Sequence, residues 1–126
     1  MIALLPDFPD HVVAASAVGR VTRADYETVL VPAVERALAG HERISVYYEL
    51  GPRFDAFDGG AFWADFKIGV SHWRRWNRVA VVTDVDWVRR AVSAAGALMP
   101  TPARVFPVAE ADAARRWVTA ADAGAH

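Results

Sequence analysis

A chain of 126 residues, 54% apolar and 23% charged, fits one domain that buries roughly two-thirds of its unfolded surface in a core of its own. A net charge of −1 excludes a global field that would attract nucleic acid or anionic lipid. The absence of cysteine excludes disulfides, thiolate nucleophiles and thiolate metal sites together.

Met1–Leu5 is a short apolar run stopped by Pro6–Asp10, and His11–Val21 resumes with β-branched and small residues. The two read as an antiparallel pair joined by a proline-rich turn. Thr22 caps the first helix: its hydroxyl accepts from the amide three residues on, where Asp25 supplies the carboxylate of a capping box. Tyr26, Val29, Leu30, Val34, Ala37 and Leu38 follow at helical spacing. Pro32 lies inside that pattern and predicts a kink, and Gly40 ends the helix.

Ile44–Leu50 is a strand, ended by Gly51-Pro52. Arg53–Asp58 is expected as a loop. Asp58 with Gly59-Gly60 then opens an aromatic helix running to about Trp76. Val79–Thr83 is a fully apolar strand, and Asp84 or Asp86 caps a helix over Trp87–Leu98. Pro100 and Pro102 punctuate before a last strand, Ala103–Pro107. Glu110–Ala121 is a final helix with acids near its start and Arg115-Arg116 further along, as the helix dipole favours.

The order ββαβαβαβα predicts an α/β fold: a single domain over residues 1–122, a frayed tail at 123–126, and a mixed, mostly parallel sheet of about five strands with an antiparallel edge. Asp7 and Asp10, with no basic residue before them, argue against a signal peptide. No apolar run approaches the ~20 residues of a spanning helix. Cytoplasmic residence is the expectation.

The aromatic helix carries most of the candidate binding residues. At about 100° per residue, Phe62, Phe66, Val70 and Trp73 share one face, the ordinary signature of core packing. Trp63 sits at one edge of that stripe near Lys67 and Arg74. Trp76 sits at the other beside Arg75 and Arg78. A tryptophan next to arginine at such an edge is plain packing, a protein contact, or a ligand or membrane contact. Phe54 and Phe57 precede this helix. They either fold into the core or act as a flap hinged at Gly59-Gly60.

Other chemistry finds little support. Asp65 and His72 lie nearly two turns apart on one stripe, but no nucleophile accompanies them and GxSxG is missing. His11, His41 and His126 are scattered, and no HExxH occurs. Phosphate-cradling glycine motifs are absent. Arg89-Arg90 and Arg115-Arg116 are isolated pairs rather than a continuous basic surface.

The order of elements carries a resemblance, together with several local features. These are Gly19-Arg20-Val21-Thr22 leading through Asp25-Tyr26 into the first helix, Asp65 and His72, the strand Arg78-Val79-Ala80-Val81-Val82 with Trp87, and Glu110-Ala111 with Trp117. Over nearly its whole length the chain resembles the SpoIIAA-like family, which has the STAS fold of anti-sigma factor antagonists and is similar to the lipid-binding Sec14 (CRAL-TRIO) domain. Anti-sigma factor antagonists carry a phosphorylated serine at the start of the helix after the central strand. Residues 51–60 here contain neither Ser nor Thr, so that switch is not carried over. In Sec14-like domains a mobile segment gates the lipid pocket, which implies a lid role for Phe54 and Phe57.

The expectation is a non-catalytic binding module for a small apolar or lipid-like ligand, with transient peripheral membrane contact. Phe54, Phe57, Phe62, Trp63, Phe66 and Trp73 would form the ligand site, and Trp76, Arg75 and Arg78 a partner interface. The alternative is a regulatory protein-interaction module, pairing with itself as a homodimer or with a regulatory protein. No enzyme activity, cofactor, metal or nucleic-acid partner is expected.

Overall fold

Val12–Val21 alternates its small and β-branched side chains between two covered faces, and this strand organises the sheet. The computed structural model describes residues 1–58, 75–98 and 103–120. In it, β1 (Ile2–Leu4) pairs antiparallel with β2 (Val12–Val21), as the proline-rich turn predicts. β3 (Ile44–Phe57), β4 (Trp76–Thr83) and β5 (Ala103–Phe106) then add in parallel. The result is a five-stranded mixed sheet in the order β1-β2-β3-β4-β5.

Helices cover both faces. On one, Val13, Ala15, Ala17 and Val21 of β2 pack with Tyr26, Leu30, Val34 and Leu38 and with Val88. On the other, Val12 and Ala14 pack with Tyr47, Ala80, Val82, Phe106, Ala114 and Val118. Each buried Val, Leu or Phe among them contributes about 1.5–3 kcal/mol relative to exposure. The buried Tyr26 and Tyr48 hydroxyls lie 3.0 Å apart and satisfy each other inside the first cluster.

The helical segment after β2 starts as its sequence dictates. Asp25 N–H donates to Thr22 Oγ1 at 3.3 Å, and Thr22 N–H donates to Asp25 Oδ2 at 2.8 Å, completing the capping box. The segment runs as α1 (Arg23–Asp25), a π-helical stretch (Tyr26–Leu30) and α2 (Val31–Gly40). The disturbance predicted at Pro32 takes the form of this π stretch. Proline has no N–H to offer Thr28, and Val31 N–H instead reaches back five residues to the Tyr26 carbonyl.

α3 (Asp86–Leu98) and α4 (Ala111–Thr119, after a 3₁₀ turn at Val108–Glu110) match expectation to within a turn. Asp84 does not cap α3: its Oδ1 accepts from Val108 N–H at 3.1 Å. Most of the aromatic helix, residues 59–74, lies outside the described residues, as does the tail.

Two boundaries differ from the sequence reading. β3 does not stop at Gly51-Pro52 but continues to Phe57. β4 begins at Trp76, three residues early, because Trp76 pairs with Ile44. There Asn77 and Arg78 bulge opposite Ser45 alone, and the fully buried Ser45 hydroxyl accepts from Arg78 N–H at 3.3 Å.

Candidate functional site

β3 outlasts β4, and the candidate site lies where it does so. The last β3–β4 pair is Leu50 with Thr83, after which β3 runs on beside β2 alone. Ala17 opposes Leu50 and Gly19 opposes Phe54, so Gly51-Pro52-Arg53 bulges against Val18. A bulge without a β4 partner is where a strand tolerates proline. Gly19 supplies the positive φ of 64° that the facing strand needs there. The ladder then resumes, with Val21 opposite Phe57 and Asp58 N–H donating to Val21 O at 2.9 Å. Arg20 Nε donates to Asp58 Oδ1 at the rim.

Phe54 and Phe57 are therefore strand residues, which corrects the expected loop. Backbone bonds to β2 hold them, and both rings turn to the face that carries buried Val21. They are half-buried, with ring centroids 4.9 Å apart. Phe57 also meets Trp87 edge to face at 5.9 Å and 83°. Trp87, in the first turn of α3, is 47% exposed.

The turn that delivers Trp87 is internally tied. Thr83 Oγ1 accepts from Val85 N–H at 3.1 Å, and the Thr83 carbonyl accepts from Arg89 Nη1 at 3.1 Å. Val88 and Val92 take the core side of α3, which leaves Trp87 at the edge of that stripe. The result is a half-exposed aromatic patch at the carboxyl ends of β3 and β4, the end at which open α/β sheets bind ligands.

Sequence reasoning placed Trp87 at a helix start but did not select it as a site residue. Its position beside Val88 and Val92 was the available signal. Phe62, Trp63, Phe66 and Trp73, expected at the same site, lie outside the described residues.

Of the three residues expected at a partner interface, Arg75 is exposed, Arg78 half-buried and Trp76 buried. Trp76 is 6% exposed and belongs to the core. Arg75 donates to the carbonyls of Leu38 (2.7 Å), His41 (2.8 Å) and Glu42 (3.0 Å), clamping the end of α2. Arg78 Nη1 donates to the Trp117 carbonyl at 2.8 Å, near the end of α4. Trp76 is drawn into the core because β4 starts early, while exposed Arg75, just before β4, and half-buried Arg78 brace the ends of α2 and α4.

A second concavity lies at the opposite end. A groove of about 510 Å³ runs between the β1–β2 turn and α2, with Leu5, Phe8, Val12 and Ala37 among its walls and Asp7 and Arg36 at its rim. It is open rather than enclosed, and its rim carries both signs of charge. Among the described residues no group of three or more His, Asp or Glu side chains is placed to hold a metal ion.

Asp25 and Tyr47 have displaced ionisation. Backbone donation from Thr22 holds the Asp25 carboxyl below its usual range, against a smaller opposing effect of burial. Burial, then the bond to Glu49 at 2.9 Å, pushes the Tyr47 hydroxyl up. Both belong to structural contacts.

The comparisons agree with this architecture. A crystal structure from Shewanella loihica PV-4, of an uncharacterized protein of the DUF3478 family with a SpoIIAA-like fold, is similar with a TM-score of 0.72 and 27% identity, covering 93% of each chain. No curated protein matches. The model of the SpoIIAA-like family matches residues 12–119, from the first residue of β2 to the last of α4, and the chain belongs to the SpoIIAA-like family.

Proposed function

We propose that this STAS-type module is a non-catalytic binding protein whose ligand is apolar or lipid-like, taken up at the patch formed by Phe54, Phe57 and Trp87. One observation carries the proposal: an indole 47% exposed stands on a half-buried phenylalanine pair at the carboxyl end of a parallel sheet. Water gains nothing from such a surface, whereas an apolar ligand covering it gains about 25 cal/mol per Å² buried. Phe62, Trp63, Phe66 and Trp73 would extend the same apolar lining. Arg20 and the exposed Arg53 supply polar groups at the rim, the combination that suits brief contact with a bilayer surface.

Native mass spectrometry beside a denatured control tests the reading. An additional mass that leaves on denaturation, and that is depleted in Trp87→Ala, is expected. The same retained mass in wild type and variant would overturn this location, and no retained mass together with no uptake of an added apolar probe would overturn the function.

The family supports a second reading, a regulatory protein-interaction module. With Trp76 in the core and Arg75 and Arg78 engaged with helix carbonyls, its contact surface would be the Trp87 patch instead. A sedimentation mass of twice the chain that falls to one chain in Trp87→Ala would favour it.

A further inference from the structure

Two guanidinium groups lie over one indole on the face opposite the first cluster. The Cζ atoms of Arg78 and Arg104 are 5.2 and 5.3 Å from the centre of the Trp117 ring. Arg104 also lies 4.9 Å over Phe106, whose ring is 5.9 Å from that of Trp117. The sheet register makes this happen. Arg104 pairs with Ala80, so its side chain shares a face with Ala80 and with Arg78 two residues earlier on β4. α4 brings Trp117 down on that face beside buried Ala114 and Val118.

Among the described residues, neither Arg78 nor Arg104 has a carboxylate within ion-pair distance. A guanidinium carries five donors in a planar fork. Arg78 gives one to the Trp117 carbonyl, and both guanidinium carbons lie within cation–π distance of the Trp117 ring. Fixed, unpaired guanidinium edges are the arrangement that receives an oxyanion through short charge-assisted bonds. Arg104 lies on the open edge strand and is exposed, so access is direct.

We propose that Arg78, Arg104 and Trp117 form a site for a phosphate group. It lies at the amino ends of β4 and β5, about 16 Å along the strand from Thr83 and the aromatic patch. It therefore stands independently of the apolar-ligand reading. The phosphate belongs either to a soluble molecule or to a lipid headgroup, and the two are separable by experiment. The competing explanation is that Arg104 only guards an open strand edge against pairing.

Calorimetric titration with pyrophosphate at low ionic strength is the first arm. Binding to vesicles of phosphatidylcholine with and without phosphatidylglycerol is the second. Each arm uses wild type, Arg104→Gln and Arg104→Lys. The expected result is saturable binding weakened about tenfold in Arg104→Gln and only partly recovered by lysine, which keeps the charge but not the fork. Response to pyrophosphate identifies a soluble source. An Arg104-dependent response confined to phosphatidylglycerol vesicles identifies a headgroup.

The indole N–H resonance of Trp117 and the Arg Nε resonances should shift on pyrophosphate or phosphatidylglycerol addition in wild type, so the result does not depend on a variant that folds. Unmoved resonances, or binding indifferent to Arg104 in both arms, would overturn the site.

Discussion

Phe57 and Trp87 meet edge to face, with ring centroids 5.9 Å apart and planes at 83°, across the step where β3 outlasts β4. One partner sits on a sheet extension and the other on the first turn of a helix, so the contact joins the two elements that border the candidate site. Its exposed half belongs to Trp87.

Trp87→Ala should therefore separate binding from folding. At 47% exposure the side chain contributes mainly its edge contact with Phe57, worth about 1 kcal/mol. The thermal midpoint should fall by no more than about 5 °C. Differential scanning calorimetry checks this, and a drop far beyond it would mean that Trp87 is a core residue.

Phe57→Ala distinguishes strand from flap. As a strand residue packed against the first cluster, Phe57 should cost about 2 kcal/mol on truncation, measured by urea unfolding. The Asp58 amide, bonded to Val21 O, should exchange slowly with solvent in the wild type. A free flap would show neither effect.

Trp76→Ala should destabilise severely, by about 3–5 kcal/mol, because it empties a site 6% exposed at the start of β4. Under conditions where the variant remains folded, its sedimentation mass should equal that of the wild type. A change in mass without loss of stability would restore Trp76 as an interface residue.

The capping box makes a pH-dependent prediction. Asp25 has its folded-state pKa lowered, so its stabilising contribution is complete above the unfolded value near 3.8 and is lost as pH falls through the lower folded value. Asp25→Ala should cost about 1 kcal/mol at neutral pH. The gap between wild type and variant should narrow below about pH 4 and close as pH falls through the lower folded value. Thermal midpoints measured across that range test it, and a gap that persists in acid would contradict the ionic role of Asp25.

What was legible in the sequence was local. Thr22 and Asp25 are three residues apart, and their mutual bonds need nothing else. The apolar run of β4 and the alternation in β2 announce buried strands wherever they sit in the sheet. The resemblance to the SpoIIAA-like family likewise rested on element order and short local features, and it held. What escaped depends on distant pairing. Pro52 reads as a strand stop unless β4 has already ended and Gly19 across the ladder takes a positive φ.

Trp76 and Arg75 likewise read as an exposed edge until Ile44 pulls β4 forward and the carbonyls at the end of α2 receive the guanidinium. Trp87 could be placed on a helix but not weighed. Its partner Phe57 lies 30 residues away, in a stretch that reads as a loop.

The most direct test of the central claim is titration of wild type and Trp87→Ala with the uncharged apolar probe N-phenylnaphthylamine, read by probe fluorescence. The account predicts saturable uptake by the wild type, weakened about tenfold in the variant, as loss of a buried aromatic contact implies. Equal uptake by both proteins, or none by the wild type, would contradict an apolar-ligand site at the Phe54, Phe57 and Trp87 patch.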